Sequence, residues 1–140
     1  MMANPSYRLP PDRAEVMGRY LDALAADARA LDLTGIYERP DLERRAVVES
    51  LELLRLLEDR RLAPANASML DVGSGGGVPG IPIAVARPDI FVTLLEGSTR
   101  KAAWLASLSE GLGLGCRVLS SRAEVAGRIP KHRGQYDLVI

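Results

Sequence analysis

Cysteine and histidine are almost missing from this chain: Cys116 and His132 stand alone among 140 residues. A single thiol excludes an internal disulfide, and one residue of each kind offers no zinc-ligand set. Cys116 follows Gly115 at the start of an apolar run and reads as a small core residue. Charge of one sign is lacking too. Eighteen basic residues balance eighteen acidic ones, so no global field steers the chain toward nucleic acid, and any such contact must come from local clusters. No apolar run approaches membrane-spanning length, and the first residues lack a basic-then-apolar leader pattern, so a soluble cytoplasmic protein is expected. What is present is 47% hydrophobic residues in a length typical of one domain, enough for a real core.

The most informative stretch is Met69-Leu70-Asp71-Val72-Gly73-Ser74-Gly75-Gly76-Gly77-Val78-Pro79-Gly80. A short apolar run ends in a carboxylate, and a glycine-rich turn then leads into a helix. Such turns let a ligand lie against bare main chain after the first strand of an α/β sheet. Two cofactors fit. Gly75-x-Gly77-x-x-Gly80 matches a dinucleotide fingerprint, with Glu96 near the distance expected of a ribose-binding acid. S-adenosylmethionine also fits, because it carries a sulfonium and an ammonium and no phosphate. A diphosphate at a helix N-terminus wants free N–H groups and no neighbouring anion. Asp71, just before the first glycine, therefore favours the cationic methyl donor. A packing role for the glycines alone is the third reading.

Around this turn the chain divides in three. Residues 1–11, with Pro5, Pro10 and Pro11, read as a flexible arm. Residues 12–67 read as two helices packing on a sheet domain. Asp12 caps the first, running to about 31, and the second runs from Pro40-Asp41 to about 62 with a Val47, Leu51, Leu54 stripe. Residues 68–140 alternate strand and helix: strands at 69–72, 91–96, 117–120 and 136–140, helices at 79–87 and 99–112, and a short helix or turn at 122–128. Alternation implies parallel pairing and right-handed crossovers, with ligands at the carboxyl ends of the strands. There, Glu96 can accept from both ribose hydroxyls of an adenosine. Ala123 and Glu124 can hold an adenine edge.

These residues resemble a known family, the bacterial 16S ribosomal RNA guanine-N7 methyltransferases, also called glucose-inhibited division protein B. The resemblance rests on Leu70 to Ala84 with its Pro79-Gly80-Ile81-Pro82 continuation, Arg87-Pro88-Asp89, Leu94-Leu95-Glu96, Arg100-Lys101, Trp104-Leu105, Ser121-Arg122-Ala123-Glu124 and Tyr136-Asp137-Leu138-Val139-Ile140. Upstream, Leu33-Thr34 and Arg45-Ala46-Val47-Val48-Glu49-Ser50-Leu51 resemble further family motifs, with Asp32 for the family's asparagine and Ala46 for its histidine.

The resemblance implies a Rossmann-like class I S-adenosylmethionine-dependent methyltransferase sheet, here about four parallel strands and truncated, preceded by an N-terminal helical segment. It implies S-adenosyl-L-methionine as cofactor, no metal, and 16S ribosomal RNA or the small ribosomal subunit as partner. Asp71 would position the donor's methionine end, directly or through water, Gly73, Gly75 and Gly77 would let it approach, Val78 would line the loop, and Glu96 would hold the ribose. Ala123 and Glu124 complete the cofactor-binding set. Family members continue past the fourth strand with Ser-Arg-Ala and further strands, so much of the acceptor-binding half is expected to be missing. Guanine N7 carries a free lone pair, so no general base is required, and no catalytic residue is assigned.

RNA contacts are sought at Arg44-Arg45, Arg60-Arg61, Arg100-Lys101 and Lys131-His132-Arg133, each of which also reads as a solvated face. Trp104 reads as packing on its helix rather than as a base-stacking platform.

Overall fold

The computed structural model describes residues 7–140, and the first half of the expected arm lies outside the described residues. Tyr7 and Leu9, just inside it, pack against the core, and the Tyr7 hydroxyl donates to Glu58 Oε1 at 3.4 Å. The first helix, α1, is Pro11–Asp27. It opens on Pro11, where a missing N–H costs little, and Asp12 lies in its first turn rather than capping it. It stops short of 31 because the chain folds back, with the Leu33 amide donating to Ala28 O and Asp32 at φ 51°.

The second helical segment is one rod with a wide turn inside it. Helix α2, Arg39–Leu42, passes through Glu43–Val48 into α3, Glu49–Asp59. In the middle stretch the Glu49 amide reaches back five residues to Arg44 O, which swells the rod locally. Periodicity alone does not show one inserted residue per turn, so an unbroken helix was expected. The stripe Val47, Leu51, Leu54 and Leu57 is buried, while Leu56 stays exposed.

The rest is a parallel α/β sheet. Strand β1, Ser68–Val72, leads through α4, Gly80–Ala86, to β2, Phe91–Glu96; α5, Thr99–Gly111, leads on to β3, Arg117–Ser120. The chain then returns through α6, Ala123–Ala126, and a short turn at Pro130–His132 to β4, Leu138–Val139. The order is β3-β2-β1-β4 with every pair parallel. Two right-handed crossovers in one direction put α4 and α5 on one face, and the reversed crossover sends α6 to the other. The direction changes at β1. Its carboxyl end is therefore the switch point at which such sheets hold ligands.

The two sheet faces differ. Met69, Asp71, Val92 and Leu94 point into a core shared with α1, α3, α4 and α5, where Tyr20, Met17, Leu54, Ile81 and Leu105 are fully buried. Each such apolar side chain contributes roughly 1.5–3 kcal/mol by leaving water. Leu70, Val72, Leu95 and Leu119 line a cleft on the other face, beside Ala123, His132 and Tyr136. Val72, Phe91 and Val139 there are more than a third exposed. The N-terminal helices are tied to the sheet by Arg87, which donates to Glu58 Oε1 and to both carboxylate oxygens of Asp89. No helix among the described residues is long and apolar enough to cross a membrane.

Candidate functional site

The glycine turn leaves β1 at the switch point, and its main-chain hydrogen bonds determine what it can hold. The Gly73 and Ser74 amides both donate to Leu95 O, and the Gly77 and Val78 amides donate to Ser74 O. The Gly75 amide donates to Glu96 Oε1 at 3.0 Å. Five amides of the turn are thus committed to the protein itself. The Gly73 and Gly75 carbonyls take no hydrogen bond from a described residue. Among the described residues, only the Gly76 amide of the turn from Gly73 to Val78 lacks a partner, so the loop presents mainly acceptors.

Helix α4 follows the same logic. Its first amide, on Gly80, donates to Asp71 Oδ2 at 3.0 Å. The Ile81 amide donates to Gly77 O, the Ile83 amide to Pro79 O, and Pro79 and Pro82 have no N–H. The N-terminus that would cradle a diphosphate already holds an anion and has no free donor in its first turn. The dinucleotide alternative left open by the glycine spacing therefore finds no free amide in the first turn of α4.

Asp71 supplies that anion: its residue is 2% exposed and its Oδ2 accepts from the first amide of α4. Burial pushes its pKa up to about 6; the Gly80 amide and Ser74 pull it down, and the charge of Glu96 raises it. Gly77 is buried, at φ 89°, and an added Cβ would come to 2.5 Å from Ile81 Cγ1, so close packing of the turn against α4 requires a glycine here.

The remaining expected residues flank two clefts. The first, about 330 Å³, lies between the glycine turn and the helical rod; Gly73, Gly75 and Val78 line it with Thr34, Ile36, Arg45, Ala46 and Glu49. The second, about 170 Å³, opens at the strand ends, where Gly73 and Val72 meet Gly97, Ser121, Arg122, Ala123 and Glu124. Gly73 belongs to both. A Cβ on it, at φ 73°, would point into open space where a ligand can rest. Glu96 stands beside the turn with one oxygen on Gly75 N and the other accepting from Ser98 N at 2.7 Å. A carboxylate offers about four acceptor positions, so about two remain for a vicinal diol.

Sequence reasoning missed Tyr20. It is fully buried, and its hydroxyl donates to Gly76 O at 3.0 Å, so α1 props the glycine turn from below. A hydroxyl in an otherwise apolar helical stripe has to find a partner, and that was the available signal. Gly76 permits the approach: a Cβ there would sit 2.8 Å from Leu24 Cδ1. Trp104 packs as expected, its indole donating to Asp27 Oδ2 at 2.9 Å. His132 and Arg133 line the cleft on the second sheet face, away from the glycine turn.

A family model described as rRNA small subunit methyltransferase G matches residues 13–140. The chain belongs to this family. Similar proteins, each named ribosomal RNA small subunit methyltransferase G, agree. That of Sorangium cellulosum is 42% identical over 113 residues, 80% of this chain and 46% of the relative. Those of Roseiflexus sp. and Rhodococcus jostii are each 37% identical, over 94% and 91% of this chain and 55% and 53% of their own lengths. The chain spans about half the length of the curated relatives it matches. The α/β sheet with helices before it is the architecture the family resemblance implied.

Proposed function

We propose that the chain binds S-adenosyl-L-methionine across the glycine turn and serves methyl transfer to N7 of a guanine in 16S ribosomal RNA, on the small ribosomal subunit in the cytoplasm. The observation that carries this reading is the polarity of the turn. Committed amides and free carbonyls suit a ligand with an ammonium group and no phosphate.

In this reading Gly73, Val72, Ala123 and Glu124 receive the adenosine in the second cleft, and Glu96 takes the ribose hydroxyls with its remaining lone pairs. Gly73 and Gly75 hold the methionine end by their carbonyls, and Val78 closes the first cleft beside it. Asp71 and Gly77 fix the turn from within. When bound, the donor supplies an electrophilic methyl carbon on sulfur. The chain's residues orient and dehydrate that carbon opposite the acceptor, which is catalysis by proximity and needs no proton acceptor. The residues 12–67 act as the support of the turn through Tyr20 and as the far wall of the first cleft.

Incubating the chain with methyl-tritiated donor and small subunits lacking the modification tests the proposal. Label in 16S RNA is the expected result. Donor binding with no label transferred would reduce the chain to a donor-binding module and overturn the transfer reading.

A further inference from the structure

The first cleft has a second wall, across from the glycine turn. Opposite Gly73 to Gly76 stands the rod where its swollen stretch meets α3, presenting Arg45 and Glu49 four residues apart. Both are half-exposed and only loosely paired, with Arg45 Nη1 3.7 Å from Glu49 Oε1 and Arg44 Nη1 also at 3.7 Å. The Glu49 carboxylate accepts no hydrogen bond short enough to hold it, so it is available to a ligand. Leu24, Leu33, Ile36 and Val78 line the same cleft and give it apolar surface for a base ring.

We infer that this cleft is the acceptor-base subsite and that Glu49 selects guanine in it, accepting from N1–H and the exocyclic amine while Arg45 donates to O6. This rests on the methyl-transfer reading above. The chemistry is discriminating because guanine alone among the common bases presents two adjacent donors on its pairing edge. Adenine sets a bare ring nitrogen against one carboxylate oxygen, and hypoxanthine offers one donor in place of two. The N7 lone pair leaves the ring on the side away from the exocyclic amine. A base gripped by Glu49 therefore turns N7 toward the glycine turn. Glu49 is a specificity residue in this account, since it touches the base and not the transferred methyl.

The test is a nuclear magnetic resonance titration of the labelled chain, saturated with S-adenosylhomocysteine, using guanosine, inosine and adenosine monophosphates. All three share ribose and phosphate, so differences report the base edge. The guanine nucleotide is expected to move the amide signals of Thr34, Ala46, Glu49 and Gly75 and to bind at least about tenfold more tightly than the adenine one, with inosine between. Glu49→Gln, at an exposed position that leaves the fold intact, should erase that ranking, and Glu49→Asp should restore part of it. If S-adenosylhomocysteine binds while the three nucleotides bind equally, or shift signals only elsewhere, the subsite assignment is wrong and the donor reading survives. If S-adenosylhomocysteine itself fails to bind, both fall.

Discussion

Replacing Asp71 by asparagine should change how stability depends on pH. The folded chain holds this carboxyl's pKa at about 6 against an ordinary 3.8, chiefly through burial. Between those values the folded state keeps a proton that the unfolded state has released. Stability from this group is therefore full below about pH 4 and is lost as pH rises through 6. The difference amounts to roughly 3 kcal/mol, an order-of-magnitude figure for a group only 2% exposed. Asparagine keeps an oxygen for the Gly80 amide and carries no charge to bury. The variant should gain on the parent by about 2–3 kcal/mol between pH 4 and pH 7.5, whatever constant offset its buried amide nitrogen adds. Urea unfolding at half-unit pH steps measures this. Trp104, the single tryptophan, reports on the contact between α1 and α5 through its bond to Asp27. Parallel stability curves for parent and variant across that range would refute the placement of Asp71 as a buried cap.

Other substitutions separate support from contact. Gly80→Ala would drive a methyl into Leu94 and to 2.7 Å from Asp71 Oδ2, and should cost about 1–3 kcal/mol in thermal unfolding. Gly73→Ala meets no protein atom, so beyond about 1–2 kcal/mol of backbone strain its main effect should be weaker donor binding in calorimetry. Tyr20→Phe leaves the Gly76 carbonyl without its buried partner and should lose about 1–3 kcal/mol by denaturant unfolding. Arg87→Met strands Glu58 and Asp89, whose pKa Arg87 holds down at about 2. With both carboxylates partly exposed, the loss should be roughly 1–2 kcal/mol, vanishing as pH falls through 2.

The fold was legible where pattern and chemistry agree. The apolar runs at β1 and β2, the glycine that ends α5 and the proline near the start of α4 marked their elements to within a residue or two. The wide turn at Glu43–Val48 was not legible, because an extra residue in one helical turn leaves the apolar stripe almost unchanged. At the site, the glycine turn was legible, but the direction in which the Asp71 carboxylate points was not. A carboxylate at a strand end has two directions open to it, toward the ligand or toward the next helix. Strand alternation decides this: Asp71 shares its face with Met69 and is buried, while Val72 faces outward. Arg45 and Glu49 were visible only as a basic pair and a motif remnant. Their place in the cleft depends on the packing of α1 and the rod against the turn, a long-range contact with no local signature.

Calorimetric titration of one sample with S-adenosylmethionine and then, separately, with NAD tests the central claim most directly, that the glycine turn offers oxygens to a cation while the first turn of α4 has no free amide for a diphosphate. A saturable isotherm for the sulfonium compound and none for the dinucleotide is the predicted result. Saturable NAD binding with no response to S-adenosylmethionine would contradict it.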